Sequence, residues 1–152
     1  MTARVFGLGV AVLGACAGIL PFLGWYRVDL PGRVVVVRGV DVRGELWSLP
    51  VLAGIVVAIG VYVAASDSDP RDQSSRWLAG ICAVAGALCL AWALWSAWRI
   101  SSVAVPLDLG DGPQTPLRAQ PVALLAAAAA SGIVAMSLKW VRGTSSYGPV
   151  SC

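Results

Sequence analysis

The sequence predicts an all-α membrane protein, a four-transmembrane-helix bundle with a small β-hairpin in the first inter-helix loop. Three observations carry this reading. Only 12% of the 152 residues are charged, against about 25% in soluble domains. Four apolar runs each approach the roughly 20 residues a helix needs to cross a bilayer. Between the first two lies "GRVVVVRGVDVRGE", Gly32 to Glu45. It is too short to span, and β-branched residues favour strand.

The runs extend from Val5 to Trp25, Leu49 to Ser66, Trp77 to Trp98 and Pro121 to Trp140. At about 1.5 Å per residue the first, third and fourth cross a hydrocarbon core of about 30 Å. The second is the shortest and needs flanking residues or little tilt. Trp25, Trp47, Trp77, Trp98 and Trp140 stand at or beside run ends, where an indole prefers the headgroup level. Pro50 and Pro121 fall in first turns, where proline's missing N–H costs nothing, and Pro21 lies near the end of the first run. The chain reads as one membrane domain, 1–152, with a β-rich loop over 26–48. The connection 67–76 is polar, that of 99–120 is longer and carries the irregular "LDLGDGPQTP", and the tail 141–152 is expected to be flexible.

An even number of spans puts both termini on one side. That side carries Arg4, Arg71, Arg76, Lys139 and Arg142; the other carries Arg27, Arg33, Arg38, Arg43, Arg99 and Arg118. The totals nearly tie under the positive-inside rule. Arg4, Lys139 and Arg142 hug span ends, and long loops tend to face outward, so cytoplasmic termini in a bacterial inner membrane are expected. "LGAC", Leu13 to Cys16, has the form of a lipobox. The apolar run continues past Cys16 to Trp25, however, so an uncleaved span is expected.

Most chemistry lacks its residues. No Asp, Glu or Arg lies inside a span, and the one lysine, Lys139, sits at the edge of the fourth. An intramembrane ionisable group is the usual mark of an ion path or proton relay. Without histidine there is no axial haem ligand and no imidazole zinc site. Cys82 and Cys89 are about 10.5 Å apart along a helix, too far to bond each other. Contact of either with Cys16 is open, but small apolar filler is the plainer role. Ser96, Ser131 and Ser137 lack a base, and no glycine-rich phosphate loop occurs. No catalysis, cofactor, metal or nucleic-acid partner is expected. The scattered net charge of +3 needs only an anionic lipid surface.

Candidate contacts are therefore sought on surfaces. Small residues recur four apart: Gly14 and Gly18, Gly54 and Ala58, Ala79 through Ala83 and Ala87 to Ala91, Ala128 and Gly132. Such rows let helices approach closely, within the chain or against a partner. Trp95 and Trp92 reach one and two turns deeper than Trp98 and form a bulky anchor or an aromatic wall. The valine stretch reads as a hairpin. A two-residue turn at Arg38-Gly39 pairs Val37 with Val40 and Val35 with Val42. A three-residue turn pairs Val36 with Val40 and Val34 with Val42. Either gives a four-valine face and requires a positive φ at Gly39. "SVAVPL", Ser102 to Leu107, is placed to add a third strand.

The segments "LPFLGWYRV" and "VRGVDVRGELWSLPVLAGIVVA", with two further Ala-rich spans, resemble the actinobacterial tryptophan-associated transmembrane proteins. The tail departs from that pattern, since Trp140 is followed by "VRGTSSYG" rather than an Arg-Tyr pair. The resemblance implies the four-span fold and no particular activity. The function expected is that of an accessory, assembly or interaction subunit, binding membrane lipid and a membrane protein partner or a second copy. Its contacts would fall at Val35, Val37, Val40, Val42, Gly14, Gly18, Trp92 and Trp95. The alternative is a small oligomeric transporter or channel component for a hydrophobic cargo, its path lined by Trp92, Trp95, Tyr62 and serines.

Overall fold

The computed structural model describes residues 2–30, 32–42, 47–66, 73–99, 118–119 and 121–143. "SVAVPL", "LDLGDGPQTP", most of the polar connection, the tail from 144 and Cys152 lie outside them. Four long helices form the body: α1 (Ala3–Ile19), α2 (Ser48–Ala65), α3 (Gln73–Arg99) and α4 (Pro121–Gly143). All four are long and apolar enough to cross a membrane. α1 packs mainly on α2 and α3 on α4, while α1–α4 and α2–α3 contacts close a ring.

The packing rule is legible in which positions are buried. On α2 they are Leu49, Ala53, Val56, Gly60 and Val63. On α3 they are Ser75, Ala79, Cys82, Ala85, Gly86, Cys89, Ala93 and Ser96, and on α4 Ala123, Ala126, Ala127, Ala129, Ala130, Ile133, Ser137 and Trp140. α1 follows with Phe6, Gly7, Val10, Ala11, Gly14, Ala17 and, just beyond its end, Pro21. On each helix one row among these recurs in alternating steps of three and four, with Phe6, Ala11, Ala85, Ala127 and Ala129 buried beside it. A mean of about 3.5 is the heptad period that winds helices into a left-handed bundle. The seam residues are mostly small. Many large aliphatics point outward, among them Leu8, Val12, Val51, Val61, Val84 and Leu124, each more than half exposed. Water would penalise that much apolar surface. Lipid does not, and small-residue contact is what drives association there.

α1 stops where Pro21 has no N–H to offer. The chain tightens into a 3₁₀ turn, Leu20–Phe22, and is extended by Leu23. The first span is therefore shorter than the Val5 to Trp25 run, and Trp25 belongs to a strand. β1 (Gly24–Leu30) pairs antiparallel with β2 (Arg33–Arg38), and β3 (Arg118–Ala119) adds to the other edge of β1, giving the order β2-β1-β3. β3 comes from the second long loop, so both long loops meet at one end of the bundle. The third strand of the described sheet is formed by residues next to α4, and the expected strand at Ser102 to Leu107 lies outside the described residues.

The hairpin is present, but its partner strand differs from the sequence expectation. Val37 pairs with Tyr26, Val36 with Arg27, Val35 with Val28 and Val34 with Asp29. Gly32 lies in the connection between β1 and β2 and carries a positive φ of 80°, which glycine adopts without steric cost. Val40 and Val42 do not pair with the valine run; Gly39–Val42 is a single helical turn. Gly39 serves close approach instead. A Cβ there would lie 3.2 Å from the Trp25 ring and from the Pro21 carbonyl oxygen.

Candidate interaction surface

Two consecutive aromatics anchor the sheet. Trp25 and Tyr26 are both fully buried, although neighbours in a strand normally face opposite ways. A bulge resolves this. Gly24 pairs with Arg38 and Tyr26 with Val37, so Trp25 is the extra residue of β1. Both rings pack with Leu49, Cys89, Ala93 and Ala123 and plug the loop end of the bundle.

The bulge fixes the faces of β2. Val37, opposite Tyr26, and Val35 turn toward the bundle and are half-buried. Val34 and Val36 turn outward, 52% and 57% exposed. Arg27, opposite Val36, and Arg38 are also exposed. β2 bonds to β1 alone among the described strands, so no described strand lies on its other edge. The proposed four-valine face is thus divided. Val35, Val37 and the buried Val40 are covered by this chain, and Val34 and Val36 are the outward pair. Strand alternation in "YRVDL", next to the Pro-Gly signal, could have revealed this pairing.

Gly14 and Gly18 face their own chain. A Cβ at Gly14 would sit 3.0 Å from Val57 and 3.1 Å from Val56, and one at Gly18 3.1 Å from Ala53. The tightest crossing on these two helices lies elsewhere, where Gly60 meets the Gly7 carbonyl oxygen and the Ala11 nitrogen. Gly54, by contrast, has nothing near it. The row from Ala79 to Ala91 also turns outward: Ala79 is buried, Ala87 and Ala91 exposed. Four-residue steps overshoot a full turn by about 40° each time, so such a row leaves the seam.

Trp92 and Trp95 stand edge to face, ring centroids 4.9 Å apart at 70°. With Leu88 and Ala91 they line an open, apolar groove of about 440 Å³. Ser96 donates its hydroxyl to the Ala93 carbonyl at 2.9 Å and stays within its own helix. Tyr62 lies near the opposite end, in the last turn of α2. One chain therefore does not bring Tyr62 and the two tryptophans into a common wall. Of the belt residues, Trp47, Trp77 and Trp98 are exposed, whereas Trp25 and Trp140 are buried. Trp140 stacks on Phe6 at 4.7 Å.

Among the described residues the buried polar side chains are Ser75, Ser96 and Ser137, with no buried charge. No group of three His, Cys, Asp or Glu residues could hold a metal there. Cys82 and Cys89 are buried free thiols and Cys16 is exposed and free, so the open Cys16 contact does not form. Comparison with protein-family models, curated proteins and solved structures finds no match to this chain.

Proposed function

We propose that the protein is a non-catalytic accessory subunit of a bacterial inner-membrane assembly, with cytoplasmic termini. It presents the outer face and open edge of β2 to a partner protein. The observation that carries the reading is the pair Val34 and Val36, exposed side by side on an ordered sheet. That sheet stands between spans that contain no buried charge. An open edge offers backbone hydrogen bonds to an added strand, and alternate valines offer the apolar contacts such addition uses. The likeness to the tryptophan-associated transmembrane proteins belongs to the same proposal. It rests on the segments around Trp25 and Trp47.

Gentle detergent extraction with identification of co-purifying proteins tests this. A stoichiometric partner should appear. It should be lost about tenfold or more in a V34D/V36D variant, as for central apolar contacts of an interface, with thermal unfolding unchanged. A lone homo-oligomer carrying only lipid, or a partner retained by the variant, would overturn the proposal.

A further inference from the structure

α3 carries a second groove at its other end, on the side of the chain termini. Gln73, Arg76, Trp77 and Gly80 line it together with Val141 of α4, and its volume is about 620 Å³. The four α3 residues recur at i, i+3, i+4 and i+7, which places them on one face. Its lining differs from that of the Trp92 groove. It joins a guanidinium and an amide to apolar wall, with an exposed indole beside them. It lies where a span ends, at the level that tryptophan and arginine mark as headgroup.

We propose that this groove binds the headgroup of an anionic phospholipid. The phosphate takes charge-assisted hydrogen bonds from Arg76 and a further one from the Gln73 amide. The glycerol region lies over Trp77, and the first acyl carbons follow Gly80 and Val141 into the bilayer. Gly80 leaves that path open, since a Cβ there would meet nothing within 4 Å. Basic grooves between transmembrane helices recognise such headgroups by the same chemistry. Lys139 and Arg142 flank Val141 and are exposed, adding positive potential. On this side of the sequence five basic residues face three acidic ones, Asp67, Asp69 and Asp72. Free phosphate shares the charge of the ligand but would leave the apolar half of the groove uncovered.

Native mass spectrometry of the full chain from micelles doped equally with phosphatidylglycerol and phosphatidylcholine tests the site. Phosphatidylglycerol should be retained about fivefold better, the preference one cation near the surface confers. R76Q should bring the ratio to about one, while R38Q, at the sheet end, should leave it unchanged. G80L should lower retention of both lipids with helicity intact, because a Cβ there meets nothing within 4 Å and the longer side chain extends into the groove. Equal retention by the unaltered chain, or a preference that survives R76Q, overturns the proposal. So does displacement by millimolar inorganic phosphate beyond that caused by chloride at equal ionic strength, which would assign the site to the free anion. The groove and the sheet lie at opposite ends, so failure here leaves the accessory-subunit reading as it stands.

Discussion

Gly54 and Gly60 form a matched pair for testing the bundle, because they share one helix and differ in what faces them. A Cβ at Gly60 would fall 2.7 Å from the Gly7 carbonyl oxygen, 2.8 Å from the Ala11 nitrogen and 3.0 Å from the Ala11 Cβ. Two of these are backbone atoms, which cannot swing aside. Ordinary contact begins at 3.4 Å, so α1 and α2 must part by about 0.7 Å, a gap that forfeits a quarter to a half of each neighbouring dispersion contact. Gly14 against Val56 and Val57 shares that loss. Overpacking of this kind costs about 1–3 kcal/mol. Gly54→Ala meets nothing within 4 Å and should gain about 0.5–1 kcal/mol from helix propensity. The two alanine variants should therefore differ by about 1.5–4 kcal/mol with opposite signs. Reversible unfolding in mixed micelles with increasing dodecyl sulfate, followed by circular dichroism, measures both. A Gly60→Ala protein as stable as the parent, or a Gly54→Ala protein equally damaged, would refute the α1–α2 register and the size-selected seam with it.

The hairpin turn gives a second prediction. Gly32→Ala has room for its Cβ but must hold a φ of 80°, so about 1–2 kcal/mol should be lost, with Gly32→Asn less affected. Amide exchange across β1 and β2 should quicken in step. The cysteines give a third. In native micelles Cys82 and Cys89, buried on the seam, should resist a maleimide that modifies Cys16, and should react only after denaturation. Native labelling of Cys89 would contradict the placement of α3.

Length and hydropathy sufficed for the four helices, because a bilayer imposes both on any span. They did not reveal which face turns inward. Ala87 and Cys89 are two residues apart on α3 and almost equally apolar, yet one is exposed and the other buried. Lipid removes the polarity contrast that betrays the core face of a soluble helix, and size at a 3.5 period decides instead. A GxxxG search followed steps of four and found Gly14 and Gly18, but it missed the tighter Gly7–Gly60 contact, which no local motif spells out. The valine run shows a second kind of loss. Its strand state was legible, but two glycine turns competed for it, and the Trp25 bulge that set the register is a tertiary effect. Trp25 and Trp140 look like belt residues by position alone; only the bundle's ends show that these rings fill it.

The valine run itself bears on what lies outside the sheet. Consecutive strand residues alternate between faces, so four valines in a row cannot all serve one side. A strand covered on one face reads as apolar alternating with polar, while a continuous apolar run marks a strand buried on both. Here the bundle covers the face of Val35 and Val37, and Arg33 and Arg38 bracket the run as charges that discourage indiscriminate edge pairing. Val34 and Val36 remain, about half exposed, each holding roughly 1 kcal/mol of unrealised burial. Threonine or lysine at those two positions would have kept the strand and avoided the exposure. The partner proposed for the outer face would account for their being valine, and that argument is independent of the unpaired edge of β2 among the described strands.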